Sequence, residues 1–229
     1  MTDIDAPTTD GLTVTQFREA GGTEDWPVLG EGACAFFPTD SLASGARFVA
    51  AIAALPGIDG HPPDIDIRPG GVTVRVVTWA ADWGGMTQRD VELARAISAL
   101  AREHGLTADP TMVESIGPIV IGAVDVAGVM PFWQALMGYE RRLDTPDEDL
   151  VDPRGRGPGL WFEPIERRDP ARNEMHIACW VPYEQAQARI DAALAAGGRM
   201  VYDKRAPAWW TLADPEGNEG DIATTMTRN

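Results

Sequence analysis

The sequence predicts an α+β protein with two domains, residues 11–106 and 117–226. Three observations predict it. Short apolar stretches alternate along the chain with segments whose apolar residues recur every three or four positions, the spacing of helices that face a core. Between Gly105 and Gly117 this periodicity stops, and Gly and Pro interrupt the chain. Beyond that break, the order strand, helix, three strands occurs twice.

The first domain is predicted to be an antiparallel sheet with helices on one face, the simplest arrangement of its elements. One helix begins after Asp40 and Ser41, which both offer an N-cap, and a second begins at the capping-box-like sequence of residues 87–90. The predicted strands are Ala33–Phe37, Ile65–Arg68 and Val72–Thr78. The apolar positions of the first helix are Leu42, Ala46, Val49, Ile52 and Ala53.

The second domain is predicted to be a pair of βαβββ units. The first unit is complete only if the acidic stretch between Tyr139 and Asp152 supplies two strands. The predicted helices are Met130–Met137 and Glu184–Ala196. The predicted strands are Ile119–Val124, Gly159–Glu163, Met175–Val181, Arg199–Asp203, Trp209–Leu212 and Glu219–Ala223.

Charge and composition exclude several classes of partner. A net charge of −16 disfavours binding to nucleic acid and to anionic membranes, since both need clustered Lys and Arg. No apolar run reaches the roughly 20 residues that span a bilayer, and the acidic N-terminus does not read as a signal peptide, so we expect a cytoplasmic protein. Cys34 and Cys179 have no disulfide or zinc spacing and are expected to be small buried side chains.

The chemistry-bearing residues of the first domain begin at His61 and continue through the two strands to the second helix. They are His61-Pro62-Pro63-Asp64-Ile65-Asp66-Ile67-Arg68, Trp79, and Gly84-Gly85-Met86-Thr87-Gln88-Arg89-Asp90. This pattern resembles the pterin-4a-carbinolamine dehydratase family, which has His-His-Pro before a strand, a third His at a strand end and Gly-Leu-Thr-x-x-Asp at a helix start. In that alignment His61 takes the first His, Pro62 replaces the second and Trp79 replaces the third.

The resemblance implies a catalytic role for His61, the remaining imidazole of the cluster. Dehydration must protonate a leaving hydroxyl and remove a ring-nitrogen proton, and one imidazole does not readily do both. Asp64 or Asp66 could supply a base. Trp79 and Trp83 could stack on a flat ring such as a pterin, or fill the emptied pocket. A structural or vestigial domain, ring binding without turnover, and true dehydratase activity all stay open, and we favour the first.

Three motifs of the second domain resemble the glyoxalase-like, or vicinal-oxygen-chelate, superfamily. They are Pro131-Phe132-Trp133 with Leu136-Met137-Gly138, Asn173-Glu174-Met175-His176-Ile177-Ala178, and Asp214-Pro215-Glu216-Gly217-Asn218-Glu219. The last is also a turn, set by Pro and Gly. The resemblance implies paired βαβββ units that close into a cup around a small ligand. It also implies His176, Glu163 and Asp221 as metal ligands, with the first ligand of the family missing near Pro118.

One imidazole and two carboxylates could hold a divalent metal, but a lone strand His is more often a hydrogen-bonded core residue. We therefore expect no resident cofactor, with the metal as the alternative. Strand alternation places Trp180 on the side of His176, and it places Trp161 on the side of Glu163. Trp209 and Trp210 must point to opposite sides. These indoles either line the cup or form the ordinary core between sheet and helices.

Three functions follow. The favoured one is a glyoxalase-like cup that binds, and in an enzyme transforms, a small and partly aromatic ligand, with a first domain whose dehydratase site is degraded. The second is an active pterin-4a-carbinolamine dehydratase, a lyase, with an accessory cup. The third is a non-catalytic protein that sequesters its ligand. Both families commonly self-associate, so the resemblance implies a homodimer or larger homo-oligomer.

Overall fold

The computed structural model describes residues 11–30, 32–80, 83–113, 115–155, 157–166, 175–213 and 219–226. The chain divides after Val113 into two compact units that both mix helices and strands, which confirms the predicted α+β class. In the described ranges, no helix combines the length and the apolar character needed to cross a bilayer.

The first unit contains a four-stranded antiparallel sheet of order β1-β2-β4-β3 and a separate hairpin, β5-β6. Its strands are β1 (Val28–Leu29), β2 (Gly32–Pro38), β3 (Asp64–Arg68), β4 (Gly71–Val76), β5 (Thr78–Ala80) and β6 (Trp83–Gly85). Its helices are α1 (Val14–Glu19), α2 (Leu42–Ala53) and α3 (Gln88–Glu103), with 3-10 turns at Ile58–Gly60 and Pro110–Met112. The predicted strand 72–78 is therefore two strands, because pairing with β2 ends at Val76 and the chain then pairs with β6.

The core of the first unit lies between its helices and one face of the sheet, as predicted. The buried side chains of that core include Phe17, Ala33, Ala35, Phe37, Phe48, Ile52, Val72, Val74, Val76, Val91, Ala94, Ile97 and Ala101. The predicted apolar face of α2 was wrong in part, because Leu42, Ala46 and Ala53 are exposed. The helix instead buries Phe48, whose ring centroid lies 5.1 Å from that of Phe37. The largest side chain sets the rotation of the helix.

The second unit is one eight-stranded sheet with two helices. Its strands are β7 (Ser115–Ala123), β8 (Glu140–Arg141), β9 (Asp149–Val151), β10 (Leu160–Pro164), β11 (Met175–Trp180), β12 (Arg199–Tyr202), β13 (Trp209–Ala213) and β14 (Glu219–Ala223). Its helices are α4 (Val126–Met137) and α5 (Tyr183–Ala195). Helix α4 begins four residues before its predicted start, because Asp125 caps it by accepting a hydrogen bond from the Gly128 amide at 3.0 Å.

The predicted pair of βαβββ units is confirmed, since β8 and β9 fall inside the acidic stretch. The strand order is β12-β13-β14-β11-β7-β10-β9-β8. In each unit the last strand pairs in parallel with the first, β10 with β7 and β14 with β11. The two first strands pair antiparallel at the centre. Residues Asp214–Asn218, for which the sequence predicts a turn, and Asn173 and Glu174 lie outside the described residues.

Both helices of the second unit pack on the same face of the sheet. Helix α4 packs with Ile119, Ile121, Leu160 and Phe162, and α5 packs with Cys179, Trp210, Leu212 and Ile222. Side chains alternate between the two faces of a strand, so the neighbours of these residues project to the opposite face. That opposite face contains His176, and we call it the His176 face.

Candidate functional sites

The first candidate site is a histidine–carboxylate pair in the first unit. His61 follows the 3-10 turn Ile58–Gly60, and Asp90 lies in the first turn of α3. His61 Nε2 and Asp90 Oδ1 are 2.8 Å apart. The Asp90 side chain is fully buried, and that of His61 is 15% exposed. The pair therefore holds the imidazole at a defined position near the protein surface.

The second carboxylate oxygen of Asp90 accepts three hydrogen bonds. Asp90 Oδ2 accepts hydrogen bonds from Thr78 Oγ1 at 2.7 Å, from the Thr87 amide at 2.7 Å and from Thr87 Oγ1 at 2.9 Å. Burial raises the pKa of Asp90, but the hydrogen bonds from His61, Thr78 and Thr87 outweigh burial and hold the pKa below its ordinary value. Asp90 is thus an ionised, buried carboxylate that orients His61.

A cavity of about 300 Å³ lies beside His61. Its polar lining consists of His61, Arg89 and Glu92. Arg89 Nη2 donates to the Gly60 carbonyl oxygen at 2.7 Å and so ties the loop before β3 to α3. The apolar lining is Leu55, Pro56, Gly57, Ile58, Leu93 and Ala96. This volume is at the small end of the range for ligand pockets.

The two indoles predicted for this site lie on opposite faces of the β5-β6 hairpin. Trp79 pairs with Gly84, its ring lies over that glycine, and the residue is 47% exposed. Trp83 lies instead over Gly85 and Gly11. Neither indole is part of the described lining of the His61 cavity. The two rings therefore do not form a common stacking surface.

The other candidate proton-handling groups of the first unit are engaged elsewhere. Arg75 Nε donates to Asp64 Oδ2 at 2.9 Å, and Arg68 Nε donates to Asp66 Oδ1 at 2.9 Å. Both carboxylates are exposed on β3. His104, the other histidine of this unit, packs against the ring of Phe48. The structure therefore brings His61 together with Asp90 and with neither of the predicted bases.

The second candidate site lies on the His176 face. In the sheet, His176 pairs with Val120, which pairs with Trp161 on its other side. Paired residues project to the same face, and so do residues two apart on one strand. By this rule the face contains the aromatic side chains Trp161, Trp180 and Trp209 and the polar side chains Glu163, His176, Thr211, Glu219 and Asp221.

His176 and Asp221 are in contact, with 3.2 Å between Nε2 and Oδ2. Their side chains are 15% and 12% exposed. The hydrogen bond to Asp221 raises the pKa of His176 most, burial opposes it, and the charges of Asp221, Glu163 and Glu219 raise it further. Asp221 Oδ1 is buried and has no hydrogen-bond partner among the described residues. Such an atom carries an uncompensated desolvation cost.

The structure brings together two of the three residues predicted as metal ligands. Glu163 lies on the same face and acts on His176 through its charge. Over the described part of the chain, no group of three or more His, Cys, Asp and Glu side chains is arranged to hold a metal ion. Open catalytic metal sites generally have three protein ligands. The described residues therefore do not fit a resident metal.

The four indoles predicted for the second unit separate between the two faces of the sheet. Trp210 packs with the α5 core, whereas Trp209 lies on the His176 face with the guanidinium carbon of Arg205 5.7 Å from its ring centre. Trp180 is buried and lies directly against Gly117, where a Cβ atom would be 2.2 Å from the indole nitrogen. The alternation rule could predict the opposition of Trp209 and Trp210, but it did not indicate which of them joins His176.

Comparisons with known proteins match the two units separately. The family model for pterin 4 alpha carbinolamine dehydratase matches residues 10–100, and that for a glyoxalase-like domain matches residues 118–223. A Nocardia farcinica (strain IFM 10152) protein named for pterin-4-alpha-carbinolamine dehydratase is 38% identical over 78 residues, which cover 34% of this chain and 80% of that protein. A protein of the same name from Roseiflexus sp. (strain RS-1) is 38% identical over 80 residues, 35% of this chain and 84% of that protein.

A solved structure is also similar to part of the chain. It is a glyoxalase/bleomycin resistance protein/dioxygenase superfamily member from Vibrio splendidus 12B01. Its sequence is 15% identical, the match covers 49% of this chain and 99% of that chain, and the TM-score is 0.34.

Proposed function

Because the chain belongs to the pterin-4a-carbinolamine dehydratase family through its first domain and carries a glyoxalase-like second domain, we propose that the second domain binds a small, partly aromatic molecule on its His176 face. The observation that carries this proposal is the buried Asp221 Oδ1 without a described partner, next to His176. In this view the first domain keeps the scaffold of its family with one imidazole of the catalytic cluster.

The unpaired oxygen of Asp221 carries a cost in free energy. A buried acceptor without a donor costs about 1–3 kcal/mol, and more when it is charged. A ligand that donates a hydrogen bond to Asp221 Oδ1 removes that cost and gains affinity from it. The indoles Trp161 and Trp209 supply flat apolar surface on the same face, the usual composition of a small-molecule site, whereas Trp180 is buried.

The same pair also suits proton transfer to a bound molecule. Since the pKa of His176 is raised, its imidazolium form persists further toward neutral pH and can donate a proton or a hydrogen bond. Asp221 then holds the ring and stabilises its charge. An enzyme of this kind would use His176 as the general acid, and a sequestering protein would use the same contact for binding alone.

A ligand panel with adjacent tryptophan variants tests the proposal. We expect an aromatic ligand to quench the fluorescence of the full chain, and Trp209→Phe to reduce the quenching strongly. Trp210→Phe is the matched control, since its indole lies on the other face. Equal loss in the two variants would contradict binding at the His176 face. Product analysis of the bound ligand separates catalysis from sequestration.

A second candidate function is carbinolamine dehydration in the first domain. The observation that favours it is the pairing of His61 with buried Asp90 beside a cavity of about 300 Å³. Turnover of a 4a-carbinolamine substrate well above the uncatalysed rate, and its loss in His61→Ala, would establish this activity. Turnover that survives in His61→Ala would remove His61 from the mechanism.

We also propose that the chain forms a homo-oligomer, as both families commonly do. Light scattering of the purified full chain measures this directly. A mass equal to one chain across the accessible concentration range would contradict it.

A further inference from the structure

The carboxylate of Asp221 can accept more hydrogen bonds than it receives. A carboxylate has about four acceptor positions on its two oxygens. His176 occupies one position on Oδ2, and no described residue occupies Oδ1. The unoccupied acceptor positions on the two oxygens fit a ligand edge that carries two neighbouring N–H donors, one for each oxygen. Paired donors of this kind match the geometry of a carboxylate.

The charges on the His176 face determine which ligand charge this face can accept. Three carboxylates, those of Glu163, Glu219 and Asp221, act on the single imidazole of His176. An anionic ligand would be repelled by this group, since like charges in a poorly solvated site interact strongly. A neutral or cationic ring whose edge carries N–H groups meets no such penalty.

Two indoles are close neighbours of Asp221 on this face. Asp221 pairs with Ala178 on one side and with Thr211 on the other. Trp180 and Trp209 lie two residues beyond these partners, and they flank Ala223 in the next row of the sheet. Diagonal neighbours in a sheet are about 7–8 Å apart, within reach of an aromatic side chain. Trp209 is 37% exposed and Trp180 is buried, so a flat ring held by Asp221 would contact the Trp209 indole.

Flat rings with two adjacent N–H donors include those with a 2-amino-4-oxopyrimidine edge, which pterins and guanine share. The first domain of this chain belongs to a family that acts on pterins. We infer that the glyoxalase-like domain binds a pterin through this edge, with Asp221 as the acceptor. The inference rests on the proposed binding function of the His176 face and names the class of its ligand.

Calorimetric titration of the full chain with pterin and with lumazine tests the inference. Lumazine has the same bicyclic ring but carries an oxygen in place of the 2-amino group, so it lacks one donor. We expect pterin to bind at least about 10-fold more tightly than lumazine, the effect of one hydrogen bond to a charged group. Asp221→Asn should reduce this preference to about 2-fold or less. Equal binding of the two rings would overturn the inference.

Further titrations distinguish a pterin from a purine as the ligand, and they identify which of the two domains binds it. Guanosine that binds more tightly than pterin would overturn the assignment to pterins, since it carries the same edge on a purine. A preference for pterin that disappears in His61→Ala and persists in Asp221→Asn would place binding in the first domain and overturn the inference. If pterin does not bind but another ligand of the panel does, and Trp209→Phe weakens the binding of that ligand, the pterin inference is overturned and the proposed function stands. The absence of any ligand at the His176 face overturns the proposed function as well.

Discussion

His61 Nε2 lies 2.8 Å from Asp90 Oδ1, although 29 residues separate the two along the chain. The contact joins the loop before β3 to the first turn of α3. Asp90 simultaneously caps that helix, because its other oxygen accepts the Thr87 amide at 2.7 Å. One carboxylate therefore both starts a helix and positions the imidazole that aligns with a family catalytic residue.

Asp90→Asn should destabilise the first domain by about 2–3 kcal/mol at neutral pH, because charged hydrogen bonds in a fully buried network are lost. The pKa of Asp90 is lowered in the folded state. The stabilisation is therefore present above the unfolded carboxyl pKa, about 3.9, and is lost as pH falls through the lower folded value. Hydrogen–deuterium exchange of α3 in increasing urea measures the difference between wild type and variant.

Asp66→Asn is the control for this change. Asp66 is exposed and pairs with exposed Arg68, so its removal should alter stability by less than about 1 kcal/mol. Equal effects of the two substitutions, or an Asp90→Asn effect that stays unchanged down to pH 2, would contradict the role assigned to Asp90.

Features that depend on local sequence periods could be predicted from the sequence, whereas contacts between residues far apart along the chain could not. The paired βαβββ order could be predicted because helix and strand periods are local properties of the sequence. Strands β8 and β9 lie where that order required them. The capping role of Asp90 was readable for the same reason. Its contact with His61 was not, since no local pattern encodes a pair 29 residues apart.

The rotation of α2 about its own axis also could not be predicted from local sequence. Counting apolar positions placed Leu42 on the buried face, but Leu42 is 54% exposed. Phe48 is fully buried instead, and Gly45 packs against Val72 and Ile67. The bulk of one aromatic ring and the close approach of one glycine decide the rotation, and both depend on the sheet beneath the helix. The partners of Asp221 depend in the same way on strand register.

Cys34 should be unreactive toward a thiol reagent in the folded protein. Burial raises the pKa of its thiol to about 11, so at pH 8 roughly one thiol in a thousand is the reactive thiolate. Cys179 is less buried and should account for the labelling of native protein. Mass spectrometry of labelled peptides distinguishes the two sites.

Cys34→Ser provides the comparison for that experiment. The variant should label at the same rate as the wild type under native conditions and lose one label after unfolding. Labelling of Cys34 in the native wild type at the rate of Cys179 would show that β2 opens more readily than its burial indicates.

His176 should titrate above the ordinary histidine value, and Asp221→Asn should bring its pKa down. The contact with Asp221 is the largest contribution that raises this pKa. The chain has three histidines, so imidazole resonances can be assigned by single substitutions and followed by NMR against pH. The raised pKa means that the pair stabilises the fold fully below about pH 6.5 and loses this effect as pH rises through the folded value.

The variant His104→Gln serves as the assignment control, since His104 packs on Phe48 in the first domain. Its removal should leave the His176 titration unchanged. If Asp221→Asn leaves the pKa of His176 where it is in the wild type, the 3.2 Å contact does not exist in solution.

Gly117→Ala should destabilise the second domain by about 1–3 kcal/mol, the usual effect of inserting a methyl group into a filled space. A Cβ atom at this position would lie 2.2 Å from the Trp180 indole nitrogen and 2.9 Å from the Ala178 carbonyl oxygen, so a buried ring or a strand must move. Gly220→Ala is the matched control in the same sheet, because its Cβ atom would meet only the Ile177 carbonyl oxygen at 3.5 Å, an ordinary contact. Urea-dependent hydrogen exchange of β7 and β11 measures both variants, and the Gly117 variant should also shift the tryptophan emission. Equal stability of the two variants would show that Trp180 does not lie against Gly117 on the His176 face.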